Sequence, residues 1–135
     1  MGIESDILKS SHVVAVVGLS GDPSRPSCRV ADYLRDHGYK IIPVNPKEKV
    51  LMGETSYPNL SAIPEPVDVV DIFRRSEDVM PIVEEAIKIK AGTVWMQEGI
   101  INEAAADKAR QAGLKVVMDK CMRKELMKMH EQEKG

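Results

Sequence analysis

The residues that could carry chemistry in this chain cluster just after its apolar runs. The first such segment, Gly18-Leu19-Ser20-Gly21-Asp22-Pro23-Ser24-Arg25, follows the run Val13–Val17 and leads into Pro26 and Ser27. A turn between a buried strand and a helix gathers backbone N–H groups and the positive helix end at one point, which attracts phosphate. Gly18 permits a tight turn, and Ser20 adds a small hydroxyl donor. Arg25 and Ser27 stand at the helix entrance, where a guanidinium can grip phosphate through two hydrogen bonds. The same residues also suit a plain turn, a local cap and a solvated charge, and the spacing is not GxGxxG.

Three further segments have the same setting. In Pro43-Val44-Asn45-Pro46-Lys47 there is no carboxylate where an NAD-binding domain holds the ribose hydroxyls. Asn45 and Lys47 instead accommodate an extra phosphate near the ribose. This disfavours NAD and leaves NADP, coenzyme A with its 3′-phosphate, or a simple turn with a surface lysine. In Phe73-Arg74-Arg75, the only Phe of the chain can cover an adenine or a pantetheine arm while an arginine meets phosphate; a core aromatic beside exposed charges is the alternative. In Trp95-Met96-Gln97-Glu98-Gly99, core packing explains the only Trp as well as ligand contact does, and Gln97 and Gly99 fit a bend that brings a ligand close to backbone.

Cys121 opens the last helix, where the helix end favours thiolate, with Lys120 and Arg123 nearby. A catalytic thiol needs a base, and His12, His37 and His130 lie at a strand start, a helix end and the tail. No catalytic residue and no metal-ligand set is therefore assigned, and a structural thiol is the plainer reading of Cys121.

These segments need strands and helices in alternation to present them. Val13–Val17 is apolar on both faces, as in a parallel sheet. A helix from Pro26 carries Val30, Tyr33 and Leu34 and stops at Gly38. Strands are expected over 39–44, 67–73, 93–97 and 114–118, with an irregular stretch over 46–66. A helix starting at Ser76 or Asp78 buries Val79, Val83, Ala86 and Ile87, with Pro81 tolerable only in its first turns. Asn102 caps another that carries Ala104, Ala105, Ala109 and Ala112. The last, from about Asp119, turns Met122, Leu126 and Met129 inward, and 128–135 are expected to fray. The expected fold is α/β: a Rossmann-like, doubly wound, parallel five-stranded sheet in a three-layer sandwich over 1–135. Strand order 3-2-1-4-5 is preferred over 2-1-3-4-5. Either order gathers the four segments at the carboxyl edge.

Composition agrees with one ordinary domain. The chain has 135 residues, 43% hydrophobic and 30% charged, with a net charge of -2. Nothing in that balance calls for nucleic acid, and no apolar run approaches the ~20 residues of a membrane span. The acidic start lacks the apolar core of a secretory signal, and Asp6 breaks the myristoylation pattern. Cys28 and Cys121 are expected as free thiols in a reducing, cytoplasmic setting rather than as a disulfide.

Taken together, VVGLSGDPSRPSCRVADYLRDHGYKIIPVNPK, VDVVDIFRR and VWMQEGIINEAAADKARQAGLKVVMDKC resemble the small stand-alone CoA-binding domain proteins. Those are similar to the nucleotide-binding domain at the start of the succinyl-CoA synthetase α subunit. The resemblance covers most of Val13 to Cys121. It implies a Rossmann-like fold holding CoA or an acyl-CoA at the carboxyl edge. Gly18, Ser20, Arg25 and Ser27 would meet the diphosphate, with Leu19 also in the cofactor-binding set. Val44, Asn45, Pro46 and Lys47 would hold the adenosine and its 3′-phosphate. Phe73 and Arg74 would line the next loop, Trp95, Gln97 and Gly99 would border the pantetheine path, and Cys121 completes the set. The synthetase's phosphohistidine domain and nucleotide-triphosphate subunit have no counterpart in these residues, which implies a binding module rather than an enzyme. Alternatives are a CoA-linked thiol redox protein acting through Cys121 and a small NADP-dependent oxidoreductase, although Tyr33, Tyr39 and Tyr57 are poorly placed as proton donors. A homodimer, or a separately encoded partner completing an acyl-CoA enzyme, is the expected form of any assembly.

Overall fold

The computed structural model describes residues 2–134. Five parallel strands form the central sheet: β1 (Val13–Val17), β2 (Lys40–Val44), β5 (Val69–Ile72), β6 (Thr93–Met96) and β7 (Lys115–Val117). A two-stranded hairpin, β3 (Val50–Leu51) and β4 (Glu54–Thr55), lies between β2 and β5 in the chain. The helices are α1 (Ile3–Ser10), α2 (Pro26–Asp36), α3 (Val79–Lys88), α4 (Glu103–Gln111) and α5 (Met122–Lys134). The Rossmann-like α/β class expected from the alternating pattern is the one found.

Apolar residues on successive strand positions fall into two cores, as the period of a strand requires. On one face, Val14, Val16, Val69, Trp95 and Val117 pack with Ile7, Leu8, Val30, Leu34, Met122 and Leu126, the inner residues of α1, α2 and α5. On the other, Ala15, Val17, Val70, Ile72, Val94 and Met96 pack with Val79, Val83, Ala86, Ala105 and Ala109 of α3 and α4. Pro81 sits in the first turn of α3, where its missing N–H costs nothing. The Asn102 side chain caps α4 by accepting from the Ala105 N–H at 3.0 Å.

The sheet order is β2-β1-β5-β6-β7, that is 2-1-3-4-5 counted by its five strands, which corrects the preferred 3-2-1-4-5. β2 is an edge strand because the chain after it folds back over its open side. The Asn45 N–H donates to the Tyr57 carbonyl at 2.9 Å and the Tyr57 N–H to the Pro43 carbonyl at 3.0 Å. With that side occupied, the next long strand pairs with β1 instead, Val17 standing beside Ile72. Pro43 has no N–H to offer a ladder and belongs on an edge.

The stretch 46–66, expected to be irregular, holds the β3–β4 hairpin and a 3₁₀ turn at Leu60–Ala62. The hairpin turns at Met52 and Gly53, whose φ of 54° and 75° suit the tight two-residue loops that require positive φ. α1 was not expected, and α5 continues through the segment expected to fray. Asp119, at φ 60°, breaks the chain direction and delays α5 until Met122. Among the described residues no helix is long and apolar enough to cross a membrane.

Candidate binding cleft at the carboxyl edge

Three strand ends are locked together at Gly18. Its N–H donates to the Val44 carbonyl at 3.0 Å, which ties the end of β1 to the end of β2. Its φ is +87°, and a Cβ placed there would lie 2.5 Å from the Phe73 carbonyl oxygen and 3.3 Å from Nε of Arg74. Glycine is thus required both by conformation and by the close approach of the segment following β5.

The loop from Gly18 to Arg25 is held by its own polar groups. The Ser20 N–H donates to Oγ of buried Ser27 at 3.0 Å, and Oγ of Ser20 accepts from the Asp22 N–H at 3.0 Å. The Asp22 carboxylate accepts from the N–H and hydroxyl of Ser24, which hold its carboxyl below the usual range. Asn45 bridges to the neighbouring loop: its Nδ2 donates to the Leu19 carbonyl at 3.0 Å and its Oδ1 accepts from the Lys47 N–H at 2.9 Å. Asn45 is therefore a strut as well as a surface residue. Leu19 is fully buried, and its carbonyl is taken by Asn45.

Three hollows that share lining residues run along this edge. One of about 570 Å³ is walled by Pro26, Val30, Phe73, Arg74, Gln97 and Cys121. It meets a hollow of about 300 Å³ at Phe73 and Pro26, where Gly18, Ser20, Arg25 and Ser27 form the wall. That one continues into a third of about 520 Å³ bordered by Leu19, Asn45, Pro46, Lys47, Glu48 and Arg74. Volumes of this order suit a small-molecule site.

Charge is distributed unevenly along the cleft. Arg25, Lys47 and Arg74 have no carboxylate partner among the described residues, whereas Arg75 is drawn off by Asp78 at 3.2 Å and Glu98 is held by Lys124 at 3.0 Å. The 570 Å³ end has an apolar wall of Pro26, Val30, Phe73 and Ile100.

Of the sequence-derived site residues, Gly18, Leu19, Ser20, Arg25, Ser27, Asn45, Pro46, Lys47, Phe73, Arg74, Gln97 and Cys121 line these hollows. Val44, Trp95 and Gly99 do not. Val44 is buried and supplies its carbonyl to Gly18. Trp95 is fully buried on the α1–α5 side, with its indole N–H donating to the Lys120 carbonyl at 2.9 Å. It supports the β6 end from below and presents no surface to a ligand. Gly99, at φ +80°, donates its N–H to Oδ1 of Asp119 at 2.6 Å and fixes the loop after β6 to the one after β7. Cys28 and Cys121 are free thiols, and burial pushes the Cys28 thiol up.

One residue at this edge was missed in the sequence. Asp71, in the central strand β5, is fully buried, and its Oδ1 accepts a hydrogen bond from Nε2 of Gln97. Burial, opposed by that hydrogen bond, pushes its carboxyl up to about 7. The signal was available: a carboxylate inside the apolar run Val67–Phe73 is costly unless something uses it.

The fold and this edge together define a Rossmann-like α/β domain with a partly cationic cleft at the strand ends. The chain belongs to the CoA-binding domain family, whose model matches residues 12–127. It is 40% identical over 118 residues to the uncharacterized protein YneT of Bacillus subtilis, covering 87% of each chain. It is 30% identical over 122 residues to the ADP-forming acetate–CoA ligase I of Archaeoglobus fulgidus, covering 82% of this chain and 18% of the ligase. Its structure is similar to that of a hypothetical protein from Pyrococcus horikoshii, with a TM-score of 0.91, 38% identity, and coverage of 96% and 93% of the two chains.

Two substitutions test this geometry. Gly18→Ala forces a Cβ against the Phe73 carbonyl at positive φ and should cost about 1–3 kcal/mol in urea unfolding; an unchanged midpoint would show that the strand ends are not held there. Asp71 has the opposite linkage from an ion-paired acid. Its folded pKa is raised, so its contribution is whole below the unfolded value near 3.8 and is lost as pH rises through about 7. From pH 4 to 8 this group alone should remove about 4 kcal/mol of stability. Asp71→Asn should flatten that fall in urea unfolding at the two pH values, and an undiminished fall would assign it elsewhere.

Proposed function

We propose that this domain binds coenzyme A, free or acylated, along the carboxyl edge of the sheet. The observation that carries the reading is a run of adjoining hollows with Arg25 and Lys47, unpaired among the described residues, toward one end, Arg74 shared between the ends, and an apolar wall of Pro26, Val30, Phe73 and Ile100 at the other. That suits a long ligand with a phosphorylated head and a neutral tail. The diphosphate lies over the Gly18–Ser27 turn with Arg25 and Arg74 beside it. The adenosine and its 3′-phosphate lie toward Asn45, Pro46 and Lys47, and the pantetheine arm runs past Phe73 and Gln97 to Cys121. Membership of the CoA-binding domain family supports the reading, as does the likeness to part of a ligase that acts on acetate and CoA.

Ligand that binds only the folded state raises stability by about 2.7 kcal/mol at a hundred times its Kd. CoA should therefore raise the melting temperature. Lys47→Ala should weaken CoA more than 3′-dephospho-CoA, by about tenfold, as loss of a charged hydrogen bond predicts. A shift with NADP and none with millimolar CoA would overturn the reading.

A second reading rests on Cys121, which lines the same hollow as Phe73 and Gln97. Its thiolate would attack CoA disulfide, forming a protein–CoA mixed disulfide and releasing one CoA thiol. Intact mass after treatment with CoA disulfide should show one reducible CoA adduct, absent in Cys121→Ser and retained in Cys28→Ser. An adduct that survives Cys121→Ser would reject it.

A further inference from the structure

Beneath the cleft lies a group the fold itself has no use for. Asp71 stands in the middle strand of the sheet, beside Val16 of β1 and Trp95 of β6 in register, and neither side chain accepts or donates to it. Its Oδ1 takes the Gln97 amide, while its Oδ2 is buried with no partner among the described residues. Gln97, only 4% exposed, is at the same time a wall of the 570 Å³ hollow. A single amide therefore separates the buried carboxyl from the space a ligand would fill.

The elements covering that side carry other ionisable groups, and each is otherwise engaged or lies apart from the carboxyl. Lys120 pairs with Glu4 of α1 at 2.9 Å, Lys124 with Glu98 at 3.0 Å and Arg75 with Asp78 at 3.2 Å. Arg123 of α5 lies over the Tyr33 ring at 5.3 Å. Arg25, Cys28 and Arg29 at the start of α2, Arg74 on the rim, and Cys121 before α5 form no hydrogen bond or ion pair with Asp71 among the described residues. Asp68, on the approach to β5, is taken by the N–H groups of His12 and Val13. The proton affinity of Asp71 is thus set by burial and by one bond to Gln97.

We propose that Asp71 is a positioning residue and a proton site coupled to occupancy of the cleft, with Gln97 as the link. Ionised, Asp71 can only accept, so Gln97 must give it Nε2 and turn Oε1 toward the cleft. Protonated, Asp71 donates to Oε1, and the amide N–H group turns outward to meet the carbonyl or phosphate oxygens of a ligand. An anion placed over this floor also favours the neutral acid. Both effects have one sign, so ligand binding draws a proton from solvent onto Asp71. The inference rests on the reading that CoA occupies the cleft.

The test is calorimetric titration of CoA into the full chain at pH 7, in two buffers of unlike ionisation heat, for the wild type and Asp71→Asn. The wild type should take up more protons per CoA bound than the variant, which subtracts the titration of CoA's own phosphates. If binding raises the Asp71 midpoint by one unit, affinity should rise about fivefold more in the wild type than in the variant between pH 8 and pH 6. Equal proton counts and parallel pH profiles would overturn the proposal. Absence of CoA binding at every pH would instead overturn the reading of the cleft. Should the variant not fold, carboxyl NMR of aspartate-labelled wild type decides: the Asp71 midpoint moves up on saturation with CoA, and a stationary midpoint refutes the coupling.

Discussion

Where β1 ends, the backbone of Gly18 is pressed between two neighbours, giving its N–H to Val44 on one side and lying against the Phe73 carbonyl on the other. A side chain at that point would separate β5 from β1 at the carboxyl edge. Much of the cleft follows from this contact. It draws the Phe73–Arg74 segment over the Ser20 loop, and Asn45 completes the closure by reaching the Leu19 carbonyl. The three neighbouring strand ends are therefore tied to one another by hydrogen bonds and close packing, which holds the polar groups of their loops in fixed orientations before anything binds. Affinity from so few cations needs such preorganisation, because each loop that had to be ordered on binding would subtract from it.

The class of fold was legible because strand and helix patterns alternate along the chain and the run at β1, Val13–Val17, is too uniformly apolar for a half-exposed strand. The strand order was not. It depended on whether the segment after β2 would lie along that strand's open side, and the hairpin pairs Val50 with Thr55 across only two residues per strand. The legible hint was Pro43. α1 was unreadable for a related reason: eight residues are too few for a helix to hold by itself. Ile7 and Leu8 find their support in Trp95, Met122 and Leu126, far along the chain, and the Leu8 carbonyl is held by the Tyr39 hydroxyl at 2.6 Å.

The candidate site was legible to the extent that strand ends could be placed. Phe73 comes one residue after β5 ends and reaches the cleft; Trp95 comes one residue before β6 ends and does not. Trp95 and Gln97 point to the same face, since alternate residues of an extended chain do. Only the latter has left the sheet. A difference of two positions, within the ordinary error of locating a strand end, separates a core indole from a cleft amide. Asp71 was passed over because its neighbours Val69, Val70 and Ile72 set the character of the run. One carboxylate in a strand buried on both faces was the anomaly that should have outweighed them.

That anomaly bears on how the site is built. Val16 and Trp95 flank Asp71 with apolar bulk, so an apolar residue of like volume would satisfy the sheet better than a carboxyl does, and burial pushes that carboxyl toward its neutral form. What the carboxyl alone supplies is a strong acceptor aimed at Gln97. An amide at the rim of a cleft, with no partner behind it, rotates and serves donor or acceptor groups alike. Anchored on a carboxylate, it has one orientation; anchored on the neutral acid, it has access to the other. On the proposed coupling, the cost of burying Asp71 becomes control over which hydrogen-bonding character the cleft wall presents, and that control lies in the floor of the sheet, while the loops above carry the cations Arg25, Lys47 and Arg74.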